Sequence, residues 1–148
     1  MKAKSIVLIV LLLLAVVSST VIYAETVNVG DSSFTLPEGF TVNETDNHQV
    51  VLENGSSVIV VYQGDNVNAE DAKQKRIKDG YTLTGEKTYD AGIIEINQQN
   101  YNKYSVNAYV YTFTKKDKNY VIVLTLSEGD IIPEKENNPI NEIVHSLN

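Results

Sequence analysis

Ala108-Tyr109-Val110-Tyr111-Thr112-Phe113-Thr114, a polar break at 115–119, and Tyr120-Val121-Ile122-Val123-Leu124-Thr125-Leu126 read as two adjoining β-strands. Aromatic and β-branched residues fill both runs, as a pleated and well-covered surface favours. Side chains alternate along a strand, so Tyr109, Tyr111 and Phe113 share one face while Ala108, Val110 and Thr112 share the other. In the second run Tyr120, Ile122, Leu124 and Leu126 alternate with Val121, Val123 and Thr125, which leaves neither face polar. A strand apolar on both sides needs cover on both sides. These residues therefore ask for a sheet with a layer over each face.

Working outward, Gln49–Glu53 and Ser57–Gln63 flank Asn54-Gly55, a dipeptide that suits a two-residue hairpin loop. Val58 through Tyr62 again lacks a polar face, which predicts a central strand covered on both sides. Thr26–Val29, Tyr81–Lys87 and Ile93–Gln98 are further strands, and Leu36–Gly39 is a tight turn with proline second and glycine fourth. Asn68 can cap a helix that has Glu70 and Asp71 in its first turn and Gly80 as its stop. Its apolar stripe is thin, only Ala69, Ala72 and Ile77, so it lies on the surface. Asn138 and Pro139 open a second helix, in which Ile140, Ile143, Val144 and Leu147 recur at helical spacing. Successive strands with one helix among them and one at the end predict an α+β fold, an antiparallel β-sheet covered by helices.

Residues 1–24 carry a different message. Lys2 and Lys4 precede an unbroken apolar run, Ile6–Val17, and Ala24 stands at a possible cleavage point. That is the pattern of an export signal, preceding a single extracytoplasmic domain at 25–148. Ile22 is bulkier than a cleavage site prefers, and residues 5–22 are about long enough to cross a bilayer with the amino terminus inside. The segment is a signal peptide cut after Ala24 or a retained membrane anchor, and both deliver the domain outside.

The 148-residue chain has no cysteine, which removes disulfides, thiolate metal sites and a cysteine nucleophile. Its net charge is −7, and every acidic residue lies at or beyond Glu25 while two lysines belong to the leader. An acidic domain repels phosphate backbones, so nucleic acid is not an expected partner. Lys73, Lys75, Arg76 and Lys78 do cluster, but Glu70, Asp71 and Asp79 bracket them as on a solvated helix face.

Phe34-Thr35-Leu36-Pro37-Glu38-Gly39-Phe40 resembles the segment near the start of exported domains with the PsbP-like fold, the superfamily of PsbP, Mog, DcrB and LpqN. The order of elements over residues 26–148 is similar as well. The resemblance implies an antiparallel sheet sandwiched between helices. It implies no activity, because that fold serves unrelated accessory and binding proteins, and no residue here matches a Ran-binding or photosystem-docking site.

Catalytic and cofactor motifs are missing from the sequence. There is no G-x-S-x-G and no glycine-rich phosphate loop, and His48 and His145 share no metal-ligand spacing. Asp65, Asn68, Glu70 and Asp71 lack the alternation of a calcium loop and are explained by helix capping. No catalytic residue, cofactor or metal is expected. The candidate partner-binding surface is Tyr109, Tyr111 and Phe113, with Tyr101 and Tyr104 as candidates to join it, because tyrosines offer rigid amphipathic area to peptides and sugars. The competing reading places the same rings beneath the carboxy-terminal helix. Asn43 and Asn54 begin N-x-[ST] sequons and are candidate glycosylation sites. The expected function is a non-enzymatic, exported or tethered domain that binds a protein or cell-envelope polymer. The alternatives are an envelope hydrolase or lyase working through unassigned carboxylates, and a structural surface protein.

Overall fold

The structure, a computed structural model, describes residues 24–127, 130 and 138–148. The proposed signal or anchor, including residues 5–22, lies outside the described residues. Among the described residues no helix is long and apolar enough to cross a membrane. The strands β1 (Thr26–Val29) and β2 (Ser32–Thr35) form a small antiparallel hairpin. There follow β3 (Thr41–Thr45), β4 (Gln49–Asn54), β5 (Ser57–Gln63), helix α1 (Ala69–Lys78), β6 (Thr82–Ala91), β7 (Ile94–Lys103), β8 (Val106–Lys115), β9 (Lys118–Leu126) and helix α2 (Pro139–Ser146). Strands β3 to β9 make one seven-stranded antiparallel sheet in the order β3-β4-β5-β9-β8-β7-β6. Two meanders thus meet along a single seam, β5 against β9.

The expected class, an antiparallel sheet with helices, holds at this level. The boundaries differ in instructive places. β3 was not anticipated, because every residue of Thr41–Thr45 is exposed and no apolar alternation marks it. The turn expected at Leu36–Gly39 sits one residue later: the Phe40 amide donates to the Pro37 carbonyl at 3.2 Å, and Gly39, at φ +80°, takes the third position. A left-handed third residue is what glycine supplies in a type II turn.

The two sheet faces have different cover. On the first, Leu52, Ile59, Tyr111, Ile122 and Leu124 pack with Val29 and Phe34 of the β1–β2 hairpin and with Ile140, Ile143, Val144 and Leu147 of the α2 segment. The helical stripe expected at the carboxy terminus is fully buried there. Asn138 caps α2 by accepting from the Ile140 amide at 2.9 Å. Lys115 closes its other end, donating to the Val144 carbonyl at 2.8 Å and the His145 carbonyl at 3.0 Å, where the helix leaves carbonyls unpaired.

The second face carries Val60, Ala108, Val110, Val121, Val123 and Tyr101, and α1 lies over part of it. Asn68 Oδ1 caps α1 through the Asp71 amide at 2.9 Å, as its sequence predicts. No residue of α1 is buried, and Ile77 is exposed. The helix packs chiefly on β6 and β8. Consequently β5 is fully covered only on its first face, at Ile59 and Val61, while Val58 and Val60 remain half-buried and Tyr62 exposed. Both edge strands carry a register shift, between Val42 and Glu44 in β3 and between Leu83 and Gly85 in β6. Bulges and charges on an edge discourage strand-to-strand association.

Candidate functional site

The aromatic residues singled out in the sequence are distributed across the domain. Tyr111 and Phe113 are 1% and 6% exposed, in the core beneath α2 and the β1–β2 hairpin, and Tyr109 is half-buried at its margin. Phe113 stacks on Tyr120 with ring centroids 5.2 Å apart. The Tyr111 hydroxyl is buried near Asn138 without a well-formed hydrogen bond, and burial raises its pKa. A partner cannot reach Tyr111 or Phe113 in this arrangement; the cover that the apolar β9 demands extends over them. Tyr101 pairs with Ala108 across β7 and β8 and so belongs to the opposite face, while Tyr104 stands 89% exposed at the β7–β8 turn. Asn43 and Asn54 are both exposed; Asn43 Nδ2 donates to Glu53 Oε1 at 2.7 Å, and Asn54 leads into the turn at Gly55. His48 and His145 are exposed, and no cluster of metal-ligating side chains occurs among the described residues.

The second face holds features that the sequence did not disclose. Glu86 on β6 receives three donors: Lys73 Nζ from α1 at 2.7 Å, Gln99 Nε2 at 3.1 Å and Asn97 Nδ2 at 3.2 Å. Lys73 first, then the two amides, holds the Glu86 carboxyl down at about 2, and Glu86 in turn raises the pKa of Lys73. Gln99, 0% exposed, also donates to the Ala69 carbonyl at 2.9 Å and accepts from the Tyr101 hydroxyl at 2.8 Å. These ties fasten α1 toward the β6–β7 side. The available signal was the amide run Asn97-Gln98-Gln99-Asn100 inside a strand, since buried amides require partners.

Held there, α1 leaves a groove over β5 and β9. Its volume is about 360 Å³, with Val60, Val110, Val121 and Val123 as floor. Ala72, Lys75 and Arg76 line it from α1, and Tyr62 and Val67 contribute further wall. The Tyr62 ring rests so close to Gly64 that a Cβ there would stand 2.7 Å from Tyr62 Cε1, so this wall depends on glycine. A concave apolar surface with a few polar groups at its margin is the usual form of a small-ligand or peptide site.

A second cavity, of about 590 Å³, adjoins the start of α1 and shares Asn66, Val67 and Asp71 with the groove. It is polar, and Asp65, Asp71 and Glu95 all line it. Asp71 Oδ2 is engaged by Asn68 Nδ2 at 2.6 Å, and the buried Asn97 Oδ1 on this wall has no hydrogen-bond partner.

No protein-family model matches the chain, and no curated protein is similar enough to be counted a relative.

Proposed function

We propose that the chain is a non-enzymatic extracytoplasmic binding domain of PsbP-like type, secreted or tethered through residues 5–22, that engages a protein or envelope partner through the groove beside α1. The observation that carries this reading is the half-uncovered valine floor of Val60 and Val121 next to a helix with no buried residue. Apolar area left open in a concave setting gains from being covered by a partner. The PsbP-like assignment draws on the Phe34–Phe40 segment and on helices that cover opposite faces of an antiparallel sheet.

The test uses protein recovered from its producing cell. Val121→Phe, which fills the groove, is expected to strip a native partner while leaving the thermal midpoint within a few degrees. Mass spectrometry of the same preparation reads the amino terminus: Glu25 in the soluble fraction marks cleavage, Met1 or Lys2 in membranes marks the anchor. A partner retained by Val121→Phe overturns the groove as the contact surface.

A second reading, an envelope hydrolase or lyase, is favoured by one observation: Asp65 and Glu95 line the same polar cavity. Paired carboxylates are the minimum for acid–base cleavage of a glycan. That reading expects release of new sugar termini from isolated envelopes and its loss in Glu95→Gln; equal release by both proteins sinks it.

A further inference from the structure

Four lysines of the described domain are matched within it. Lys73 pairs with Glu86 at 2.7 Å and Lys118 with Asp31 at 2.9 Å. Lys115 donates to the carbonyls at the end of α2, and Lys103 to the Asp79 carbonyl. The Lys75 side chain, like those of Lys78 and Lys116, makes no hydrogen bond, ion pair or ring contact among the described residues, and of these three it alone lines the valine groove. Arg76, beside it on the same wall, has only the face of Tyr81, 5.5 Å from the ring centroid. Both belong to the last turn of α1, where cations also answer the helix dipole. The dipole accounts for their position along the helix. It does not account for an apolar floor directly beside two cations that share their groove with one carboxylate, Asp71, in a chain of net charge −7.

We propose that this groove takes a medium-chain carboxylate, its aliphatic chain on the valine floor and its head at Lys75 and Arg76. The assignment rests on the groove reading above and goes beyond it, to a small ligand in the same place. Charge complementarity sets the direction of binding. Asp71 lies about 6 Å along the helix axis before Lys75, roughly one turn, and already holds Asn68 Nδ2 at 2.6 Å. Asp71 therefore repels an anionic head from the start of α1, and at the last turn the two full charges of Lys75 and Arg76 act against the roughly half-unit negative end of the helix dipole. The volume sets the size: about 360 Å³ falls near the lower end of the range for small-ligand sites, roughly 300–1,000 Å³. One aliphatic chain fits this space better than the paired chains of a phospholipid.

The test is a titration of the protein, as recovered from its producing cell, with hexanoate, octanoate and decanoate below their aggregation limits. Binding is followed at the methyl resonances of Val60 and Val121. Saturable one-to-one shifts are expected, tightening up to about fourfold per added methylene and weakening with salt. Lys75→Gln and Arg76→Gln should each weaken decanoate by about fivefold, in the range of exposed ion pairs, and leave the melting curve unchanged. Equal binding of decanoate and decyltrimethylammonium overturns the assignment, because only apolar adsorption is then at work. If no carboxylate shifts these methyls while Val121→Phe still strips the native partner, the carboxylate fails and the groove stands. If Val121→Phe is also without effect, both fail.

Discussion

Tyr111→Ala is expected to cost about 3–5 kcal/mol of folding stability, the usual range for emptying a large aromatic site in a packed core. The residue is 1% exposed and sits among Leu, Ile and Val side chains from β4, β5, β9 and the α2 segment. The interior cannot close over such a gap without moving the sheet or the helix. A domain of this size has roughly 5–15 kcal/mol in total, so the variant should unfold at far lower urea, or already at growth temperature. Tyr111→Phe separates packing from polarity. Its hydroxyl is buried with only a poorly formed contact to Asn138, so removing it should change stability by less than about 1 kcal/mol. A Tyr111→Ala protein that melts normally yet loses a partner contradicts this placement and restores the aromatic face as a surface.

Gln99→Leu should be the most damaging polar replacement, costing about 2–4 kcal/mol. Leucine fits the space but leaves the Ala69 carbonyl and the Tyr101 hydroxyl without the partners they have at 2.9 Å and 2.8 Å, each unmade bond costing about 1–3 kcal/mol. The loss should be local at first: amide hydrogen exchange in α1 should quicken before exchange in β8 and β9, because α1 has no buried side chain of its own to hold it. Acid probes the same network. The carboxyl of Glu86 is lowered from 4.5 to about 2 in the fold, so its contribution is complete above the unfolded value and is lost as pH falls from there through about 2. Glu86→Gln should therefore flatten part of the stability loss between those two pH values. An unchanged acid limb would show that the ion pair is not coupled to folding.

The parts of the fold that were legible in the sequence are those governed by local chemistry. Asn68 and Asn138 announce their helices because a short polar side chain satisfies an amide that the helix cannot. Asn54-Gly55 announces its hairpin because glycine accepts the left-handed position, φ +56°, without strain. Two other hairpins lack that glycine, although the polar break at 115–119 marks one of them. Tyr104 and Ser105, and Lys116 and Asp117, all take positive φ without a glycine, so the strands that they join impose those turns. The site was less legible still. Periodicity separates Tyr111 from Val110 by face but does not say which face is sealed. Which face is left partly open depends on where α1 comes to rest. Its resting place is decided by Lys73, Glu86 and Gln99, residues that meet only after the sheet is formed. A groove defined by what a helix fails to cover has no signature along the chain.

The seam between β5 and β9 has a temporal consequence. Every other pairing in the large sheet joins strands adjacent in the chain, whereas Ser57–Gln63 must wait for Tyr120–Leu126. Closing that long loop has an entropic cost that local hairpins do not face. A chain emerging amino end first can build β3 to β5 as one unit and β6 to β9 as another, but the free edge of β5 stays unpaired until β9 arrives. Commitment to the folded state comes late, so a chain threaded through a narrow passage remains pliable almost to the end of its transit.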